Sequence, residues 1–181
     1  MKRIMIVGQS GAGKSWLARR LGDRTGLPVV HLDRLHWSPG WVPRDRAARD
    51  RDMLDAAHLP AWIIEGNYFA TCHTRLARAD TVIALDLPLP LRFARVLRRT
   101  AISYGRTRPD LADGCRDHVD PEFWRWIWSS RAEMRARMLS VIRAAEDHAE
   151  VHHLRSPREV RAFVSRFERG IEGLSVHAAR A

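Results

Sequence analysis

Residues 4–21 read IMIVGQSGAGKSWLARRL, and three signals meet in them. The Ile/Met/Val run is short and stops at Gly8, the pattern of a buried strand. Gly8-Gln9-Ser10-Gly11-Ala12-Gly13-Lys14-Ser15 then satisfies G-x-x-x-x-G-K-[ST]. A helical pattern follows directly over 14–24. Strand, glycine-rich turn and helix in that order form the setting in which this motif cradles phosphate. Lys14 is one of two lysines beside twenty-nine arginines, so a chance match is rarer here than in an average chain.

Each residue type in the motif has a chemical reason. Glycines let the backbone curl so that successive N–H groups point inward as an anion nest. A helix starting near Gly13 adds its partial positive end. Lys14 places a slim ammonium on the β- and γ-phosphates, where a broad guanidinium fork is harder to fit. The Ser15 hydroxyl is a ligand for Mg²⁺. The expected nucleotide contacts are Gly8, Ser10, Gly11, Ala12, Gly13, Lys14 and Ser15, with Trp16 beside them. The expected cofactors are ATP and Mg²⁺.

Outward from this stretch, the short apolar runs 28–33, 61–66, 81–88 and 150–155 end at Gly, Asp, Pro or Arg and read as further buried parallel strands. Helical patterns cover 43–58, 89–103, 121–147 and 157–169. The alternation predicts an α/β three-layer sandwich built on a five-stranded parallel sheet, the architecture of a P-loop NTPase. One domain over 1–181 is expected. Residues 104–120 (YGRTRPDLADGCRDHVD) are polar, turn-rich and aperiodic, as an inserted lid would be, and 172–181 are expected to fray. In the long helix, Phe123, Trp124, Ile127, Trp128, Met134, Met138, Val141 and Ile142 recur at helical spacing, an apolar stripe facing the core.

The chain has 181 residues, 45% of them apolar, and a formal charge of +10. No apolar run approaches the roughly 20 residues that span a bilayer, and the N-terminus lacks a cleavage-site pattern. Cys72 and Cys115 make no disulfide framework, which fits a reducing, cytoplasmic setting. The arginines are dispersed rather than gathered into a tail. They suit a solvated surface with a phosphate site, and they leave a nucleic-acid face open as a second possibility.

In open parallel sheets, ligands gather at the carboxyl ends of the strands. Asp33, Glu65 and Asp86 end three of the predicted strands and are expected to face the phosphate loop. One carboxylate there can hold the metal's water shell, and another can orient or deprotonate an acceptor hydroxyl. In the lid, Arg106, Arg108 and Arg116 are candidates to close over a triphosphate, with Arg131 on the long helix a weaker one. Cys115-x-x-His118 and Cys72-His73 lack the usual zinc framework, and no H-E-x-x-H occurs.

HLDRLHWSPGW (31–41), WIIEGNY (62–68), ADTVIALDLPLPLRFARVLRR (79–99) and RTRPDLADGC (106–115) follow one another in order. Together with the phosphate loop they resemble the bacterial DNA topology modulation proteins, a family similar to adenylate kinases and other small P-loop kinases. The resemblance implies a mononucleotide-kinase fold with a mobile lid and an acceptor segment at about 34–60. It puts Glu65 where relatives carry the acidic residue that supports Mg²⁺, through water given the longer side chain. It puts Asp33 where small-molecule kinases hold the acceptor hydroxyl. Arg95 and Arg99 are spaced like the lid-hinge arginines that stack on adenine and clamp phosphates. Ser156-Pro157 stands where related kinases cradle the adenine. The adenylate-kinase stretch DGFPR is replaced by EGNYFAT, which argues against AMP as acceptor. Trp37, Trp41 and Arg44 suggest an aromatic-walled pocket instead.

The expected function is that of an ATP- and Mg²⁺-dependent kinase acting on an unidentified small acceptor, as a monomer or homodimer. A nucleotide-regulated DNA-binding protein and an NTPase switch without an acceptor are the alternatives.

Overall fold

The computed structural model describes residues 1–178, with side chains through residue 170. In chain order the first half comprises β1 (Arg3–Gly8), α1 (Lys14–Thr25), β2 (Val29–His31), α2 (Leu32–His36), β3 (Trp37–Ser38), β4 (Val42–Pro43), α3 (Arg46–His58) and β5 (Trp62–Glu65). A 3₁₀ turn (Phe69–Thr71) leads into α4 (Cys72–Arg78), β6 (Thr81–Leu85), α5 (Leu89–Ser103), α6 (Pro121–Ser129), α7 (Arg131–Ala145), β7 (Glu150–Leu154) and α8 (Pro157–Ala178).

Five strands form one parallel sheet in the order β2-β5-β1-β6-β7. Successive side chains on a strand point to opposite faces, so a strand buried on both sides feeds two cores. Met5 and Val7 of β1, Trp62 and Ile64 of β5, and Val82 and Ala84 of β6 join Met53 and Ala57 of α3 and Met138, Val141, Ile142 and Ala145 of α7. On the other face Ile4, Ile6, Ile63, Ile83 and Leu85 meet Leu17, Ala18 and Leu21 of α1 and Phe163 and Val164 of α8. This is the expected three-layer α/β sandwich. Its central strand, β1, runs directly into the phosphate loop, with the chain ends of β5 and β6 on either side.

Several elements depart from the sequence reading. The second strand stops at His31 because Leu32–His36 turns into a short helix. Residues 37–43, given no strand in the sequence reading, form a small antiparallel hairpin, and residue 43, expected to open the third helix, belongs to it. That helix begins after Asp45, whose carboxylate accepts the Ala48 amide at 2.9 Å as an N-cap. The long helix expected over 121–147 is two helices. At the break, the Ser130 hydroxyl bonds back to the Trp126 carbonyl at 2.6 Å and Ser129 to the same oxygen at 3.3 Å, a back-bonding that bends helices. Helix α4 has no counterpart in the sequence reading.

The 104–120 segment is ordered by bridges between Tyr104 and Asp117 and between Thr107 and Arg116. Its own Leu111 and Cys115 are buried. It docks on the β3–β4 hairpin, where the Gly40 amide donates to the Gly114 carbonyl at 3.2 Å and the Trp41 indole to the Arg116 carbonyl at 2.7 Å. The expected fraying of 172–181 concerns side chains, and from 179 onward backbone, that lie outside the described residues. Among the described residues no helix is long and apolar enough to cross a membrane.

Candidate functional site

Gly13 is the N-cap of helix α1 and adopts φ 98°, with no side-chain cap hydrogen bond and no acidic residue in the helix's first turn. Its leading amides therefore lack a protein acceptor from the cap, an arrangement that suits an anion. The Ala12 amide closes the loop onto the Gln9 carbonyl at 3.1 Å. At the mouth, the Gly8 amide donates to Asn67 Oδ1 at 3.2 Å. Lys14 and Ser15 are half-buried in the cradle, whereas Trp16 is 50% exposed.

Helix α5 holds the loop from outside. Arg92 donates to the Leu87 carbonyl at 2.9 Å and to the Ser10 carbonyl at 3.2 Å. Arg95 donates to the Ala12 carbonyl at 3.2 Å. Arg92, buried and one turn before Arg95, escaped the sequence reading. The signal available was its i, i+3 spacing from Arg95 on one helix face.

The strand-end carboxylates separate into different environments. Asp33 sits in the first turn of α2 and accepts the Tyr68 hydroxyl at 2.7 Å on Oδ1. Burial and the nearby Glu65 charge push its carboxyl above the ordinary value, against Lys14, Tyr68 and Arg108, which favour the charged form. Lys14, Asp33 and Glu65 thus lie within electrostatic reach of one another. Glu65, at the end of β5, is 2% exposed, and its Oε1 lies 2.8 Å from His31 Nδ1 on β2. His31 faces Glu65 in the strand register, a pairing no sequence signal announced. Asp86 is occupied elsewhere. Arg135 of α7 grips it with both carboxylate oxygens engaged, at 2.8–3.0 Å, and His153 reaches it at 3.2 Å. Burial opposes its charge, yet these partners outweigh burial and hold its pKa below the ordinary value.

The 104–120 segment, expected to act as a lid, brings a second charged group to the loop. Arg108 is bound by Asp110 at 2.6 Å and Asp117 at 2.9 Å, both from the lid itself. Asp110 also approaches Arg19 at 3.6 Å. Burial opposes its charge, but Arg108 first, then Ser15 and Arg19, draw its pKa down. Arg99, beside Arg108, Asp117, Asp110 and Asp33, is held below its usual pKa by burial and then by Arg108. The Arg99 Nε atom is buried without a hydrogen-bond partner. Arg106 and Arg116 are exposed on the lid. Arg131 turns its guanidinium over the Trp128 ring at 4.6 Å, while its carbonyl accepts the Gln9 side-chain Nε2 at 3.1 Å.

An aromatic row runs from the carboxylate to the lid. Tyr68 meets His36 at 5.0 Å between ring centres, His36 meets Trp37 at 4.4 Å, Trp37 meets Trp41 at 5.6 Å, and Trp41 meets His118 at 5.9 Å. Arg44 is not brought to it. Its guanidinium pairs with Asp52 at 2.7 Å and donates to the Leu35 carbonyl at 3.0 Å. Ser156 is likewise engaged, exchanging bonds with Glu159 at 3.0 and 3.2 Å in a capping box, and Pro157 opens α8. Among the described residues no cluster of three or more His, Cys, Asp or Glu side chains could hold a metal. A Mg²⁺ ion would depend on Ser15, phosphate oxygens and water, which is how this ion is commonly held.

No protein-family model matches the chain. Over 57 residues, 31% of the chain, it is 35% identical to the ATP-dependent protease ATPase subunit HslU of Campylobacter jejuni and 33% identical to that of Staphylococcus epidermidis. The chain spans 13% and 12% of the length of these curated relatives. Solved structures match along nearly the whole chain. The shikimate kinase from Bacteroides thetaiotaomicron aligns at TM-score 0.57 and 18% identity, over 94% of this chain and 98% of its own. The shikimate kinase from Acinetobacter baumannii in complex with shikimate aligns at 0.54 and 14%, over 96% and 94%. A sugar kinase from Janibacter sp. HTCC2649 aligns at 0.50 and 16%, over 100% and 98%. These matches give no specific match to the topology modulation proteins, and they show a fold like that of the small P-loop kinases.

Proposed function

We propose that this protein is an ATP- and Mg²⁺-dependent phosphotransferase that moves a γ-phosphoryl group to a hydroxyl of a small acceptor. The observation that carries the reading is Asp33, whose Oδ1 accepts the Tyr68 hydroxyl at 2.7 Å and whose carboxyl, pushed up by burial and Glu65, also feels the charge of Lys14 in the glycine-rich loop. The loop amides and Lys14 would hold the β- and γ-phosphates. Ser15 would ligate Mg²⁺, with Glu65 supporting its water shell, and the ion when bound would neutralise phosphate charge. Asp33 would orient the acceptor hydroxyl and accept its proton as the new O–P bond forms and the bond to the β-phosphate oxygen breaks. Arg99 and Arg108 would balance charge on the transferring group, and the lid, with Arg106, would exclude water. Arg95 would steady the loop and approach the base, which Ser156-Pro157 would flank. The aromatic row from His36 through Trp37 and Trp41 would wall the acceptor pocket. Arg44 would shape that wall from behind, through its bond to Leu35.

The test is ADP release from wild type, Lys14→Ala and Asp33→Asn across nucleosides, nucleotides, sugars and antibiotics. Acceptor-dependent turnover should vanish in Lys14→Ala. It should fall about 10²- to 10⁴-fold in Asp33→Asn with MgADP affinity retained. Turnover indifferent to every acceptor would favour an NTPase switch. ATP-responsive DNA binding that survives physiological salt would favour the DNA-binding alternative.

A further inference from the structure

Arg75 is completely buried on α4, and its guanidinium bonds go to three oxygens, none of them a carboxylate. Nη1 donates to the Thr71 hydroxyl at 2.9 Å, and Nη2 donates to the Asn67 carbonyl at 2.8 Å and the Tyr68 carbonyl at 3.4 Å. Its Nε has no partner. A buried cation without a counter-charge is costly, and burial depresses its pKa accordingly. What the guanidinium holds is an unfavourable turn. Tyr68 lies at φ 24°, where L residues are uncommon, and it is followed at once by the 3₁₀ turn.

Both side chains carried by this turn reach the proposed site. Asn67 accepts the Gly8 amide at the mouth of the phosphate loop at 3.2 Å. Tyr68 donates to Asp33 Oδ1 at 2.7 Å. We propose that Arg75 is a positioning residue that sets the 67–71 turn, and through Asn67 and Tyr68 aligns the phosphate loop with the acceptor carboxylate. A planar fork serves three oxygens on one turn, whereas a lysine ammonium is a point charge. The catalytic consequence rests on the kinase reading, but the positioning does not.

The decisive experiment compares wild type, Arg75→Met, Arg75→Lys, Tyr68→Phe and the core control Val164→Ala, which lies on the opposite face of the sheet. Three quantities are measured: the Gly8 amide resonance, the Tyr68 ring-carbon resonance and MgADP affinity by calorimetry. Arg75→Met should move both resonances and weaken MgADP about tenfold, Arg75→Lys should recover part of each, and Val164→Ala should change none. Tyr68→Phe should leave the Gly8 resonance and MgADP affinity within twofold. Arg75→Gln covers the case in which Arg75→Met fails to fold, and the same two resonances must move in it. Unmoved resonances in folded Arg75→Met or Arg75→Gln overturn the proposal. If wild type binds MgADP but phosphorylates no acceptor, the kinase reading fails while the resonances still decide the role of Arg75.

Discussion

Replacing Gly11 by alanine puts the junction of the phosphate loop and α5 to a quantitative test. Gly11 adopts φ +77°, and a Cβ there would lie 2.3 Å from the Arg92 carbonyl oxygen, 2.9 Å from its carbon and 3.0 Å from Val96 Cγ2. The obstacle is backbone, and Arg92 is pinned through its own bonds to Leu87 and Ser10, so neither side can yield cheaply. Gly26 offers the matched control, with φ +70° and nothing within 4 Å of its hypothetical Cβ. Both alanines incur the left-handed backbone cost of about 1–2 kcal/mol. Both also gain about 0.4–1 kcal/mol from a less flexible unfolded chain. Gly26→Ala should therefore lose about 1 kcal/mol. Gly11→Ala adds an overpacking cost of about 1–3 kcal/mol, for a total of about 2–4 kcal/mol. That is a large fraction of the stability of an ordinary domain. Guanidinium denaturation should resolve the gap. In thermal melts it should appear as about 2–4 °C per kcal/mol. MgADP binding should drop more than about tenfold in Gly11→Ala and stay unchanged in Gly26→Ala. Equal stability losses in the two variants, with nucleotide binding intact in both, would refute the claim that α5 is seated hard against the loop.

Acceptor-dependent turnover should rise with pH through a midpoint above the ordinary aspartate value of 3.8, since burial and Glu65 push Asp33 upward. Tyr68→Phe should move that midpoint higher by removing a bond to the charged form, which a pH–rate profile reads directly. A raised folded pKa means stability is fullest below the ordinary value and is lost as pH rises through the folded one. Asp33→Asn should therefore stabilise the protein at neutral pH, with the gain closing in acid. The opposite sign holds for Asp86, whose depressed pKa contributes stability that is lost as pH falls through it. Arg135→Ala should cost about 1 kcal/mol at neutral pH, discounted for the exposed arginine, and almost nothing once Asp86 protonates. Trp62→Ala should cost about 3–5 kcal/mol in denaturant melts, because the ring is fully buried and its indole donates to the Ala57 carbonyl at 3.2 Å.

The legible parts of this protein were those written in local pattern. Five short runs, most of them rich in Val and Ile, predicted the five parallel strands, and the three central ones, β1, β5 and β6, are buried on both faces and need no alternation to be recognised. Helix α4 was missed because its seven residues include a buried arginine, which no apolar periodicity announces. The β3–β4 hairpin was missed because two-residue strands carry almost no pattern. Ser129-Ser130 hid the α6–α7 break, since the apolar stripe continues through it. Asp33, Glu65 and Asp86 looked alike at strand ends. Their partners, Tyr68, His31 and Arg135, are 35, 34 and 49 residues away and separate them into three environments.

The sequence by itself determined the glycine-rich loop and the sheet beneath it, because glycine freedom, a lone internal lysine and strand hydrophobicity are properties of neighbouring residues. Tertiary structure alone decided which charges meet. Arg92 and Arg95 turn to the outer carbonyls of the loop, Arg44 turns away to Asp52, Asp110 comes down from the lid toward Ser15, and Arg75 braces a turn with no ion-pair partner. Electrostatic and hydrogen-bond partners are chosen by distance in space, and a chain's order does not encode that distance until it folds.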